Sequence, residues 1–108
     1  MGFRLHTAKV YVVEYESSGR FNNAKDLVVK LINDALDWVI DADSDFWEID
    51  VEDFQSVIDY VKGITDKEFE RRYHYCNHGM TRTEIIGNLE YLMSQRDTRN
   101  TEINLAWF

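Results

Sequence analysis

The spacing of apolar residues changes along the chain and predicts an alternation of strands and helices. Across Leu5–Tyr15, β-branched and aromatic residues occupy both faces of an extended segment, which is typical of an inner strand. Across Leu27–Val39 the apolar residues recur with helical spacing and polar residues lie between them, which predicts an amphipathic helix. Asn22 or Asn23 is expected to cap its N-terminus.

The central part of the chain predicts a short strand and a second helix. Across Phe46–Val51 the apolar and polar residues alternate weakly, as they do in a half-buried strand. Asp50 is expected to cap the helix that follows, and Gly63 is expected to end that helix in a left-handed turn.

Two hydroxyl–carboxylate pairs at capping-box spacing mark the starts of two further helices, Thr65 with Glu68 and Thr81 with Glu84. The first of these helices is expected to end at Gly79, and the alternation across residues 103–107 predicts a final strand. The sequence therefore predicts an α+β fold with the order β-α-β-α-α-α-β and one domain over residues 1–108. We expect a small, mostly antiparallel sheet of about three strands, with the first and last strands paired and helices packed on at least one face.

Composition agrees with a folded domain and gives a first indication of its location. Hydrophobic residues make up 44% of the 108 residues, which is enough to fill one core. The longest apolar runs are far shorter than the roughly 20 residues needed to span a bilayer, so no membrane segment is expected. Cys76 is the sole cysteine, which favours a reducing compartment. We therefore expect a cytoplasmic protein.

Negative charge is concentrated in the centre of the sequence. The formal net charge is −8, and residues 33–59 hold ten acids and no Lys or Arg. These acids are Asp34, Asp37, Asp41, Asp43, Asp45, Glu48, Asp50, Glu52, Asp53 and Asp59. A field of this sign repels phosphate and attracts basic proteins, which argues against nucleic acid as the partner.

Part of this acidic run has the ligand spacing of a calcium loop. The side chains of Asp41, Asp43, Asp45 and Glu52 occupy positions 1, 3, 5 and 12, which supply ligands in an EF-hand. The sixth position, where an EF-hand has glycine for a sharp turn, is Phe46. A calcium-binding module through the Asp41–Glu52 loop is therefore an alternative that conflicts with the backbone requirement of the motif.

An enzyme of unknown type is the other alternative. No serine elbow or glycine-rich phosphate loop occurs in the sequence, and Cys76 lies outside any recognisable catalytic motif. The sequence nominates no catalytic residue and indicates no cofactor.

The favoured interpretation is a non-enzymatic protein-interaction domain that binds a basic partner. Trp38 and Trp47 flank the densest acids and would form an apolar anchor inside a negative rim if both are exposed. The predicted partner-binding residues are Asp34, Asp37, Trp38, Asp41, Asp43, Asp45, Trp47 and Glu48. Such a domain would act as an inhibitor or nucleic-acid mimic, of the kind encoded by bacteria and phages. Homodimerisation through an edge strand or exposed aromatic residues stays open.

Overall fold

A computed structural model describes residues 3–8 and 20–108 of the chain. The elements are β1 (Leu5–Ala8), α1 (Lys25–Leu36), β2 (Phe46–Asp50), α2 (Val51–Gly63), α3 (Asp66–Tyr73), α4 (Arg82–Ser94) and β3 (Glu102–Trp107). Their order and the α+β class confirm the predicted fold. The part of the predicted first strand that follows Ala8 lies outside the described residues, and the single domain stays a prediction.

The described strands form an antiparallel sheet with the order β1-β3-β2. The final strand β3 is central, with Leu5 of β1 opposite Trp107 and Trp47 of β2 opposite Leu105. The predicted pairing of the first and last strands is therefore confirmed. On the side of β1 that faces away from β3, Leu5 exchanges two backbone hydrogen bonds with Arg20, at 2.8 and 3.0 Å.

Helices cover one face of this sheet, as predicted. Trp47 and Ile49 of β2 point into the core, whereas the alternate residues Phe46, Glu48 and Asp50 are exposed. The strict alternation follows from the period of two in a pleated strand. Helix α2 contacts both α1 and α4 and also packs on β2 and β3, so it connects the helical layer to the sheet.

The ends of α1 differ from the prediction at both termini. The N-cap is Ala24, because Asn23 has a φ of 56° and its Oδ1 instead accepts a hydrogen bond from the backbone N–H of Phe3. The helix ends at Asp37, whose φ of 55° is left-handed. Val39, which the apolar spacing included in the helix, lies beyond this turn and is 85% exposed.

The later helices confirm some of the predicted boundaries and correct others. Asp50 is the N-cap of α2, although its carboxylate makes no capping hydrogen bond. Gly63 is the last residue of α2, but Ile64 continues in an extended conformation, so the predicted left-handed turn does not form there. Gly79 does have a positive φ of 78°, but α3 already ends at Tyr73.

The two predicted capping boxes form to different extents. At α4 the box is complete: Thr81 Oγ1 accepts from the backbone N–H of Glu84, and the Glu84 carboxylate accepts from that of Thr81. At α3, Thr65 Oγ1 accepts from the backbone N–H of Glu68 at 3.1 Å. The Glu68 carboxylate turns instead to the guanidinium groups of Arg71 and Arg72, so only half of that box is present. Within the described ranges, no helix has the length and apolar character that crossing a membrane requires.

Candidate functional site

Residues 37–45, called the acidic loop below, run back along α1 in the opposite direction. Near the C-terminus of the helix, Asn33 Oδ1 accepts a hydrogen bond from the backbone N–H of Ile40 at 3.0 Å. Near its N-terminus, Lys25 Nζ donates to the backbone carbonyl of Ser44 at 2.8 Å. These two contacts hold the loop against the helix.

The two tryptophans predicted as partner anchors occupy different environments. Trp38 is 40% exposed in the acidic loop, whereas Trp47 is 5% exposed. The indole Nε1 of Trp47 donates to the backbone carbonyl of Asp41 at 2.8 Å, and its ring meets Trp107 edge-on. Trp47 is therefore a core residue, because its register in β2 turns it inward. The exposed apolar pair of this region is Trp38 with its neighbour Val39.

The predicted partner-binding acids divide into neutralised and uncompensated groups. Asp34 pairs with Lys30 at 3.0 Å, and Asp45 pairs with Lys25 at 3.1 Å. Within residues 3–8 and 20–108, no ion pair involves the remaining predicted acids, which are Asp37, Asp41, Asp43 and Glu48. The uncompensated charge of this set therefore lies in the acidic loop and on the outer face of β2.

Three carboxylates, called the sheet-face acids below, gather on the outer face of the sheet. Asp50 of β2 lies directly opposite Glu102 of β3, and Glu48 lies on the same face, diagonal to Glu102. Partial burial raises the pKa of Glu102, and repulsion from Glu48 and Asp50 raises it further. No Lys or Arg of the described chain forms an ion pair with any of them. The ring of Phe46, 63% exposed, lies on this face of β2.

Sequence reasoning missed Glu102 because it lies far along the chain from the other acids. The signal that could have identified it is the pairing register. Once β2 and β3 are aligned antiparallel, the period of two places every second residue of both strands on one face.

The backbone of β2 has one edge that faces away from β3. The N–H of Trp107 donates to the carbonyl of Asp45 at 2.8 Å, and the N–H of Val51 donates to the carbonyl of Thr101 at 2.9 Å. Hydrogen-bonded pairs alternate in an antiparallel ladder, so Trp47 and Ile49 also bond to β3. The residues that alternate with these positions are Phe46, Glu48 and Asp50, and their backbone groups therefore point away from β3.

One of these outward-facing residues is already paired. Ser44 Oγ accepts from the N–H of Phe46 at 3.1 Å and donates to its carbonyl at 2.7 Å. No hydrogen bond from elsewhere in the described ranges reaches the backbone N–H or carbonyl of Glu48. Among the described residues, the part of this edge without backbone partners is therefore centred on Glu48.

A continuous polar network joins α1, α2 and α3. Tyr73 Oη donates to Asp34 Oδ2 at 2.7 Å and lies 2.7 Å from Tyr60 Oη. Because Tyr73 donates its single hydroxyl proton to Asp34, Tyr60 must be the donor in its hydrogen bond with Tyr73. Arg72 donates in turn to Tyr60 Oη at 2.9 Å, and Lys30 donates to Asp34. Tyr73 is fully buried, and burial is the main cause of its raised pKa, so it stays a neutral donor.

A shallow cleft of about 440 Å³ lies beside this network. It is lined by Lys30, Asn33, Asp34, Asp37, Tyr60 and Arg72. Lys30 and Arg72 are held by the network, and Asp37 is the lining carboxylate without a cation partner among the described residues. The lining thus combines fixed donors with carboxylate acceptors.

The structure does not bring the calcium-loop carboxylates together. In the described part of the chain, no group of three or more His, Cys, Asp or Glu side chains is arranged to hold a metal ion. Asp45 is paired with Lys25, and Glu52 lies in the first turn of α2. Phe46 begins a strand instead of making the sharp turn that a calcium loop requires.

Cys76 has the surroundings of a structural thiol. It is buried, and burial raises its pKa, so the thiolate that a nucleophile requires is disfavoured.

Comparison with known proteins assigns this chain to no family. No protein-family model, curated protein or solved structure matches it. The candidate sites therefore rest on their own geometry.

Proposed function

We propose that this chain is a non-enzymatic interaction domain that binds a basic partner protein through its acidic loop. The observation that supports this most directly is the exposure of Trp38 and Val39 between Asp37 and Asp41. Neither of these acids has an ion-pair partner among the described residues. An apolar anchor inside a charged rim is the usual arrangement of an interface hot spot.

The charge of the whole chain supports the same partner class. A net charge of −8 attracts a basic surface over several ångströms and accelerates encounter with it. A protein that binds nucleic acid presents such a surface, because phosphates dominate its affinity. We therefore favour an inhibitor that occupies a nucleic-acid-binding surface in place of phosphates.

Affinity capture with matched variants tests this function. The baits are the wild type, Trp38→Ala, the double variant Asp41→Asn/Asp43→Asn, and a control double variant, Glu52→Gln/Asp59→Asn. The control removes the same number of negative charges from exposed positions of α2. We expect a basic protein that the wild type and the control retain and that both loop variants retain at least about tenfold less, a change of about 1.4 kcal/mol. Raising the salt concentration should release it. Capture of the same proteins in equal amounts by all four baits would refute the proposal.

Small-molecule binding in the cleft beside the polar network is a second candidate. The specific observation in its favour is the set of fixed donors from Lys30 and Arg72 beside the Tyr60 hydroxyl. Its volume of about 440 Å³ falls in the range of ligand pockets. A fragment screen by NMR, repeated on Arg72→Met, tests it. Fragments must change the chemical shifts of the cleft residues in the wild type, and this change must be lost in the variant.

A further inference from the structure

We propose that the open edge of β2 receives an extended basic segment of the partner, which adds a strand to the sheet beside Glu48. This inference rests on the proposed function, since it specifies how part of a basic partner is held. Its starting point is the backbone of Glu48, a residue of an edge strand whose N–H donor and carbonyl acceptor both point away from β3. Strand addition at such an edge is a common way to bind peptides.

The charges beside this edge determine the occupant. Glu48, Asp50 and Glu102 lie on one face of the sheet, and none of them forms an ion pair with a Lys or Arg of the described residues, so their negative charges repel one another. Lys or Arg side chains of an added strand would lie on the same face and pair with these carboxylates. The repulsion would thereby become attraction.

The same charges argue against a second copy of this chain as the occupant. Antiparallel pairing of two β2 strands centred on Glu48 would place Glu48 of one copy directly opposite Glu48 of the other. Like charges directly opposite each other in a sheet are destabilising. A basic segment from a different protein avoids this cost.

The edge formed by β1 is less available. The N–H of Leu5 donates to the carbonyl of Arg20 at 2.8 Å, and the N–H of Arg20 returns a bond to Leu5 at 3.0 Å. These are the backbone groups of β1 that point away from β3 at this position. Among the described strands, β2 is therefore the better acceptor.

The register predicts a sequence pattern in the partner. An antiparallel strand paired with β2 meets Asp50, then Glu48, then Phe46 with every second residue. Basic side chains fit the first two positions, and an apolar or aromatic side chain fits the third, beside the exposed ring of Phe46. The expected segment is basic-x-basic-x-aromatic.

A peptide with site-specific backbone methylation tests strand addition separately from charge. The probe is acetyl-Thr-Lys-Val-Lys-Val-Phe-Thr-amide, in which the second Lys lies opposite Glu48. N-methylation of that Lys removes the N–H that would donate to the Glu48 carbonyl. N-methylation of the following Val, opposite Trp47, removes an N–H that would face away from β2. The two peptides have the same charge and composition.

We expect methylation of the Lys to weaken binding, measured by calorimetry, at least about tenfold, through a lost hydrogen bond and a steric clash. Methylation of the Val should weaken it less than about twofold. Bound peptide should also slow amide exchange at Glu48, whereas exchange at Phe46, already bonded to Ser44, should not change. Equal weakening by both methyl groups, or no slowing at Glu48, would overturn strand addition.

The outcome is separable from the test of the proposed function. If a basic partner is captured through Trp38 and Asp41 but neither the partner nor the peptide protects Glu48, strand addition is wrong and the interaction domain stands. If no basic protein or peptide binds the wild type, both are wrong.

Discussion

The helical side and the sheet side of this molecule treat their carboxylates in opposite ways. In the polar network between α1, α2 and α3, Asp34 accepts hydrogen bonds from Lys30 and Tyr73 and has its charge neutralised. On the outer sheet face, Glu48 and Asp50 lie beside Glu102, and none of the three forms an ion pair among the described residues. Acids that are fully satisfied stabilise a fold, whereas acids left to repel one another indicate a surface suited to a partner of opposite charge.

Local geometry produces the difference. Lys30 and Asp34 are four residues apart on one helix, so they face each other on adjacent turns. Glu48 and Asp50 are two residues apart on a strand, which places them on the same face, and antiparallel pairing adds Glu102 to that face. A helix with mixed charges thus neutralises itself, while a strand with alternating acids concentrates them.

Removing the buried hydroxyl of the polar network should have the largest effect on stability. Tyr73→Phe removes one hydrogen-bond partner from Asp34 and leaves the Tyr60 hydroxyl proton without its acceptor, whereas Lys30 and Arg72 keep their contacts with these two groups. We expect the free energy of unfolding to fall by about 1–3 kcal/mol. Urea denaturation measures the change. Tyr75→Phe, at a ring that is 64% exposed, is the control and should stay within about 0.5 kcal/mol of the wild type. An equally small effect of Tyr73→Phe would remove the contrast between the two regions.

Reversing one charge on the sheet face should have a moderate and opposite effect. Glu48→Lys converts repulsion of Asp50 and Glu102 into attraction, so we expect the free energy of unfolding to rise by about 0.2–1 kcal/mol. The same urea experiment, repeated at high salt, should show a smaller gain because salt screens exposed pairs. A loss of stability at low salt would mean that the sheet-face acids do not repel one another in the folded chain.

Removing a cation of the network should have a smaller effect. Lys30→Met leaves Asp34 with the Tyr73 hydrogen bond but without its ion pair, in which both side chains are partly exposed. We expect a loss of about 0.3–0.5 kcal/mol, the usual value for such a pair in a helix. Thermal unfolding compared with Lys67→Met, an exposed lysine on α3, measures it. A gain of stability would contradict neutralisation of Asp34 by Lys30.

The smallest effects separate the two sides by pH. Hydrogen bonds from Arg71 and then Arg72 lower the pKa of Glu68 to about 2, so its contribution is present above the usual value of 4.5 and is lost as pH falls. The pKa of Glu102 is raised, so its ionised form disfavours folding at neutral pH and the penalty disappears on acidification. Urea midpoints should show Glu68→Gln below the wild type and Glu102→Gln above it at neutral pH. Both differences should shrink toward about pH 3. Differences of the same sign in the two variants, or differences that do not change with pH, would contradict these assignments.

Much of the fold could be predicted from apolar spacing, because the helices and β2 each bury one face, whereas β1 and the end of β3 are buried on both. The boundaries were harder, since the left-handed residue Asp37 ends α1 before Val39 without a glycine to mark the turn. The start of α4 was recognisable because the side chains of Thr81 and Glu84 each accept a hydrogen bond from the backbone N–H of the other residue, only three positions away.

The candidate sites could be predicted less well, because they depend on contacts between distant residues. Trp38 and Trp47 look equivalent in the sequence, and only the direction of β2 makes Trp47 a core residue. The chain from Asp34 through Tyr73 to Tyr60 joins three helices, and no spacing rule connects these positions. Glu102 became part of the acidic face only through its pairing with Asp50.

The position of β3 at the centre of the sheet has a consequence for the order of folding. Leu5 and Trp107 become neighbours although almost the whole sequence separates them, so closing this sheet requires a large loss of chain entropy. The contact between α1 and α2 joins segments much nearer in sequence and can form earlier. We therefore expect the helical layer to assemble first and the formation of the sheet to be the rate-limiting step of folding.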